Sequence, residues 1–168
     1  MDFLKSYDIK LFELINSKWT NAVFDRFFPA ITDLHKNSFF VILILSFMTF
    51  SLVRAFRVRG LGYLAILFLT VGICDWTGTQ LFKHRFERPR PAATAGVQVI
   101  ERSPSSGYGF ISNHAANMTC FAAIAGYLLP GFARVFFLLA LLVSYSRIYN
   151  GAHFPADVVV GMIWGFFI

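Results

Sequence analysis

The chain has 168 residues, of which 57% are hydrophobic and only 14% charged, with 21 Phe and a mean hydropathy of +0.60. That length suits one domain, and the composition leaves too little polar surface to cover a soluble one, so a membrane protein is expected. The formal charge of +6 forms no Lys/Arg stripe, which argues against nucleic acid and for anionic lipid head groups or a phosphorylated substrate as partner.

The N-terminus alternates charged and apolar residues and does not read as a cleaved signal peptide. Phe3, Leu4, Tyr7, Leu11, Leu14 and Ile15 recur at helical spacing, with Lys5, Asp8, Lys10 and Glu13 on other faces. That pattern predicts an amphipathic helix lying in the membrane interface, with Trp19 as an anchor. Residues 22–34 are apolar but too short to span, and they read as a second interfacial or re-entrant piece broken at Pro29.

The first span is expected over 38–53, extended by Ala55 and Phe56 and ending in a short basic loop with Arg54, Arg57 and Arg59. Further spans are expected over 61–82, 113–129 and 132–149, the last two joined by a tight turn at Pro130 and Gly131. A fifth runs from Pro155 to Ile168. Its 14 residues cover about 21 Å against a hydrocarbon core of about 30 Å, so either this helix is short or the chain continues. The expected fold is an all-α polytopic membrane helix bundle. It has five spans, or six if the chain continues, in a single domain over 1–168 whose first 34 residues are interfacial helices. Cys74 and Cys120 fall inside apolar segments, as small buried hydrophobes and not as disulfide or zinc partners.

The only long polar segment is 83–112, and a loop of that length is usually functional. Counting spans puts its two ends, the end of the fourth span and the start of the fifth on one side of the membrane. That surface gathers Lys83, Arg85, Arg88, Arg90, Ser112, Asn113, His114, Arg147, His153 and Asp157. Cations so close to apolar spans need a partner, and an anion is the natural one. Phosphoryl transfer requires cations and N–H donors around the phosphate oxygens, an in-line nucleophile and an acid for the leaving oxygen. Arg90 and Arg147 can fork onto phosphate, and Lys83 supplies a point charge. Ser112 and Asn113 stand where a helix begins, as its cap, with unpaired backbone N–H groups facing the anion. Pro155 suits the first position of a helix, which places Asp157 in its third and leaves His153 just outside. Asp157 could then accept the proton of one His153 ring nitrogen and leave the other as a nucleophile.

Lys83-x6-Arg90-Pro91, Ser112-Asn113-His114 and Ser146-Arg147-x5-His153-x3-Asp157 together resemble the three signature motifs of the type 2 phosphatidic acid phosphatase (PAP2) superfamily. The resemblance covers Lys83 to Asp157. It implies that His153 attacks phosphorus to form a phosphohistidine, with Asp157 orienting it. His114 would protonate the leaving oxygen and then activate water, while Lys83, Arg90, Ser112, Asn113 and Arg147 hold the phosphate. No metal or other cofactor is implied. The substrates it suggests are undecaprenyl diphosphate, phosphatidylglycerophosphate, phosphatidate and lipid A, among which the sequence does not choose. The second motif departs from the family's usual Pro-Ser-Gly-His at two places, Ile111 and Asn113. Loss of the proline removes a fixed φ at the helix entrance without deleting a reacting group.

Two other activities fit part of this pattern: a lipid-to-lipid phosphotransferase and a non-catalytic lipid binder or transporter. Arg85 and Arg88 read better as interface anchors than as phosphate ligands. Asp75, inside a span, is either functional or the structural partner of a neighbouring Arg. Gly161 and Gly165 read as internal helix packing, and the oligomeric state is not addressed by any motif. Arg54, Arg57 and Arg59 have no chemical duty, so the positive-inside rule places their loop in the cytoplasm of a bacterial inner membrane and the candidate site on the outer face.

Overall fold

The computed structural model describes residues 2–168, and those residues form helices without strands. In chain order, α1 is Asp2–Glu13, continued by a π-helical turn Leu14–Lys18, and α2 is Ala22–Thr32. Next come α3, Ser38–Phe56, and α4, Arg59–Thr77. A π turn Gly78–Lys83 carries α4 into the short α5, His84–Phe86. After the long polar segment come α6, Asn113–Leu128, α7, Ala133–Tyr149, and α8, Pro155–Phe167.

Three stretches are long and apolar enough to cross a membrane: Ser38–Phe56, Arg59–Ala93 and Pro130–Tyr149. The other two expected spans are shorter, 16 residues in α6 and 13 in α8. Packing explains why α6 need not be uniformly apolar. It is the central helix, set against α4, α7 and α8, and its faces with Ala115, Ala116, Thr119, Cys120, Ala122 and Ala125 are buried by protein. Small residues set that approach. A Cβ added at Gly161 would lie 2.6 Å from the Ser112 carbonyl oxygen, and one at Gly165 would strike the backbone of Ala116. The glycines therefore let α8 lie against the first turn of α6, where the Ser112 amide donates to the Asp157 carbonyl at 2.9 Å. Away from that end, Met48, Leu52, Leu67, Ala125 and Phe136 close a separate apolar core between α3, α4, α6 and α7.

The N-terminal segments differ from expectation in two ways. Helix α2 runs unbroken through Pro29. Proline's fixed φ is itself helical, and the Asn21 side chain caps the start by accepting from the Val23 and Phe24 amides at 3.0 and 2.9 Å. Helix α1 has two apolar faces where one was expected. Phe12 and Ile15 are buried with Phe28, Tyr149 and Phe154, while Phe3, Leu4, Tyr7 and Leu11 stay exposed. A polar knot fixes both segments to the bundle. Asn16 accepts from the Ile100 amide at 2.8 Å and donates to the Tyr149 carbonyl at 2.8 Å. Asp25 accepts from Arg102 and from the Tyr149 hydroxyl, each at 2.7 Å.

Candidate active site

The crossing of α8 over the start of α6 brings the ends of four helices together. His153 lies in the turn between α7 and α8, with 1% of its surface exposed. The chain reaches it through Gly151, whose φ of +83° is costly for any residue with a Cβ. A Cβ there would also stand 2.9 Å from the Ile100 carbonyl oxygen.

The His153 Nδ1 lies 2.8 Å from the Gly109 carbonyl oxygen. A carbonyl only accepts, so Nδ1 carries the proton and Nε2 the lone pair. Nε2 faces Arg90 Nη1 at 3.0 Å. Burial, reinforced by the fields of Arg90, Arg147 and Lys83, holds the imidazole well below its ordinary pKa and keeps it neutral.

Asp157 does not take the bond expected of it. Its Oδ2 stands 3.7 Å from His153 Nδ1, beyond hydrogen-bond reach. That oxygen accepts instead from the Phe154 amide at 3.0 Å, capping α8, and Oδ1 pairs with Arg88 at 2.6 Å. Gly109 is the direct hydrogen-bond partner of the ring, and the Asp157 carboxyl stands beside it without bonding to it. Arg88 is thus a half-buried tie and not the interface anchor expected, whereas Arg85 is exposed.

Arg90 is 9% exposed and moors the polar loop. Its Nε donates to the Ser106 and Gly107 carbonyls at 3.0 Å, and Nη1 donates to the Ala152 carbonyl at 2.8 Å. Arg147 is 5% exposed and donates through Nη1 to Thr32 Oγ1 at 2.9 Å, leaving its Nε buried without a partner. Ser112, the residue before α6, makes no side-chain cap, and its Oγ is also buried and unpartnered. Buried donors of this kind are costly unless a ligand completes them.

The Asn113 side chain is already engaged. Its amide nitrogen donates to Asp75 Oδ1 at 3.0 Å and to Thr79 Oγ1 at 2.9 Å, away from His153. The partner of Asp75 is therefore not an arginine. It accepts from Asn113 and, at 2.8 Å, from Asn117, tying α4 to α6, while the Thr79 bond ties the π turn that ends in Lys83 to the same helix. Ile111, where the family usually has proline, is fully buried with Cys74, Ala116 and Cys120.

His114 stands one residue further along α6. Its titratable neighbours are Arg147, His35, His153 and Lys83, and its ring meets that of His35 edge-on at 5.4 Å. His35, Thr32, Gly109 and Asp8 are the members of this neighbourhood that the sequence reading did not single out.

The fold and this buried cluster define an α-helical membrane protein with a neutral imidazole set among cations at one end of its bundle. Residues 59–168 match the PAP2 superfamily, and the chain belongs to that family. It is 28% identical to the lipid A 4'-phosphatase of Porphyromonas gingivalis over 94% of this chain and 63% of that protein. It is 30% identical to the lipid A 1-phosphatase of Rhizobium johnstonii over 60% of this chain and 43% of that protein. The chain thus spans less than two thirds of the length of these relatives. Aquifex aeolicus LpxE superposes with a TM-score of 0.75 at 28% identity, over 95% of this chain and 90% of that one. The PAP2-type phosphatidylglycerolphosphate phosphatase of Bacillus subtilis shares the fold, with a TM-score of 0.73 at 24% identity over 99% and 82%.

Proposed function

We propose that this protein is a lipid phosphatase that hydrolyses a phosphate ester of a membrane lipid through a phosphohistidine on His153. The observation that carries this reading is the fixed tautomer of His153, with Nδ1–H on Gly109 and the Nε2 lone pair turned toward Arg90. A phosphate that takes the Arg90 donor leaves that lone pair facing phosphorus. Nε2 forms the P–N bond as the P–O bond to the lipid breaks, and His114 gives its proton to the leaving oxygen. Water then attacks phosphorus and gives a proton to His114, the P–N bond breaks, and phosphate leaves with His153 neutral again. Arg147, Ser112 and Lys83 neutralise charge on the equatorial oxygens, Arg147 Nε and Ser112 Oγ being donors with no other partner. Asn113 contributes its backbone N–H, its side chain being engaged with Asp75 and Thr79.

Lipid A is the first substrate to test, because the named relatives of P. gingivalis and R. johnstonii are lipid A phosphatases. Phosphate release from purified lipid A, phosphatidate, phosphatidylglycerophosphate and undecaprenyl diphosphate tests the proposal. Release from at least one lipid, abolished in His153→Ala, is expected, and release from none would overturn it. An added acceptor alcohol that captures the phosphoryl group in place of water would make the protein a phosphotransferase. We place the site on the outer face of a bacterial inner membrane, from the basic turn of Arg54, Arg57 and Arg59 at the opposite end. Native Cys74 and Cys120 are buried, so Glu101→Cys should react with an impermeant thiol reagent in spheroplasts and Val58→Cys should not.

A further inference from the structure

Arg88 joins three parts of the molecule. Its guanidinium forks between Asp8 Oδ2 on α1 and Asp157 Oδ1 on α8, each at 2.6 Å, and it lies over the Phe154 ring at 4.7 Å. Its backbone carbonyl accepts from the Gly109 amide at 2.8 Å, and Gly109 in turn holds His153 Nδ1. The second Asp8 oxygen accepts from the Ala156 amide at 2.8 Å, so carboxylates from α1 and from α8 itself both cap the helix that follows His153. The Asp8 side chain is 10% exposed, whereas the next face of α1 presents Phe3, Leu4, Tyr7 and Leu11 outward, at 70%, 74%, 57% and 44% exposed. Such a face is suited to lie in the acyl boundary of a bilayer.

We infer that Asp8 is a positioning residue, through which the bilayer seating of α1 fixes the His153 ring by way of Arg88, Gly109 and the first turn of α8. Asp8 touches no reacting atom, so its loss changes the aim of the nucleophile and leaves the phosphate site intact. A small misplacement of that kind lowers turnover more than binding.

This inference rests on the phosphatase reading, and the test separates the two. In vesicles with a phosphorylated lipid substrate, Asp8→Asn should lower kcat about ten- to hundredfold with KM unchanged. Arg88→Lys cannot fork between two carboxylates and should behave alike. A combined Leu4→Ser and Tyr7→Ser change should lower kcat in the wild-type background and add little to Asp8→Asn. Lys5→Ala, on the same helix, should have no effect. Full kcat in Asp8→Asn, a loss confined to KM, or losses that multiply with the Leu4 and Tyr7 changes would overturn the inference. If Asp8→Asn fails to fold, full kcat in Arg88→Lys overturns it equally. A wild type without turnover would instead overturn the phosphatase reading.

Discussion

The two sides of the candidate site are finished to different degrees. On the nucleophile side, His153 has both ring nitrogens engaged, Asp157 has both oxygens engaged, and Arg88 bridges two carboxylates. On the side facing it, Arg147 Nε and Ser112 Oγ are buried without partners, and the Lys83 side chain has no ion pair or hydrogen bond among the described residues. A completed network holds one geometry, while unpartnered buried donors are costly and gain from a complementary ligand. The first side therefore aims the nucleophile, and the second awaits the anion. Substitutions on the two sides should separate accordingly.

The largest effect is expected at the reacting atom: His153→Ala should remove turnover altogether, read as phosphate release, while binding of a lipid phosphate persists. Next come the anion-facing cations. Arg147→Ala should cost about 10²–10³ in kcat/KM, with Arg147→Lys recovering only part because a point charge lacks the fork. Arg90→Ala should lose at least as much, since Arg90 also moors Ser106, Gly107 and Ala152.

Asp157→Asn should cost less than either, about one to two orders of magnitude, because Gly109 still orients the ring. A loss equal to that of His153→Ala would mean that Asp157, and not Gly109, sets the tautomer in the working enzyme. The pH dependence sharpens the same comparison. Burial lowers the His153 pKa in the fold, so the imidazole stays a neutral nucleophile well below pH 6.5, and the acid limb due to it should lie below that value. The sign for stability follows. Between the depressed folded pKa and about 6.5 the unfolded chain binds the proton and the folded one does not, so this group's contribution is lost as pH falls through that window. His153→Gln should reduce the acid sensitivity of the thermal midpoint. The smallest effect belongs to the exposed Arg85, where Ala should change kcat/KM by about twofold or less.

The sequence carried most of the reacting groups because their spacing is local. His153, Pro155 and Asp157 fall within five positions, and helix geometry links them before any tertiary contact is known. The span count then placed Lys83, Ser112 and Arg147 at one end of the bundle. Gly109 was not legible, since its contribution is a carbonyl that every residue type possesses. Thr32, His35 and Asp8 come from the N-terminal segments, and no periodicity connects residue 8 to residue 88. The Asn113 side chain was not legible either, because its amide suits an anion as well as Asp75. Only the depth of Asp75 in α4, one turn before Thr79, decides between them. Helix α6 appeared long enough to span, but its Asn113, His114 and Asn117 are tolerated because its neighbours are protein.

The central claim, that His153 Nε2 becomes covalently bound to phosphorus, is tested most directly by rapid denaturing quench with lipid labelled at its phosphate. The account predicts a phosphoryl group on the protein that is labile to acid, stable to base and absent from His153→Ala. It should accumulate in His114→Ala when the substrate has a leaving group that needs no protonation, because the water step then lacks its base. Label retained in His153→Ala, or turnover in the wild type with no protein-bound phosphate at any quench time, would contradict it.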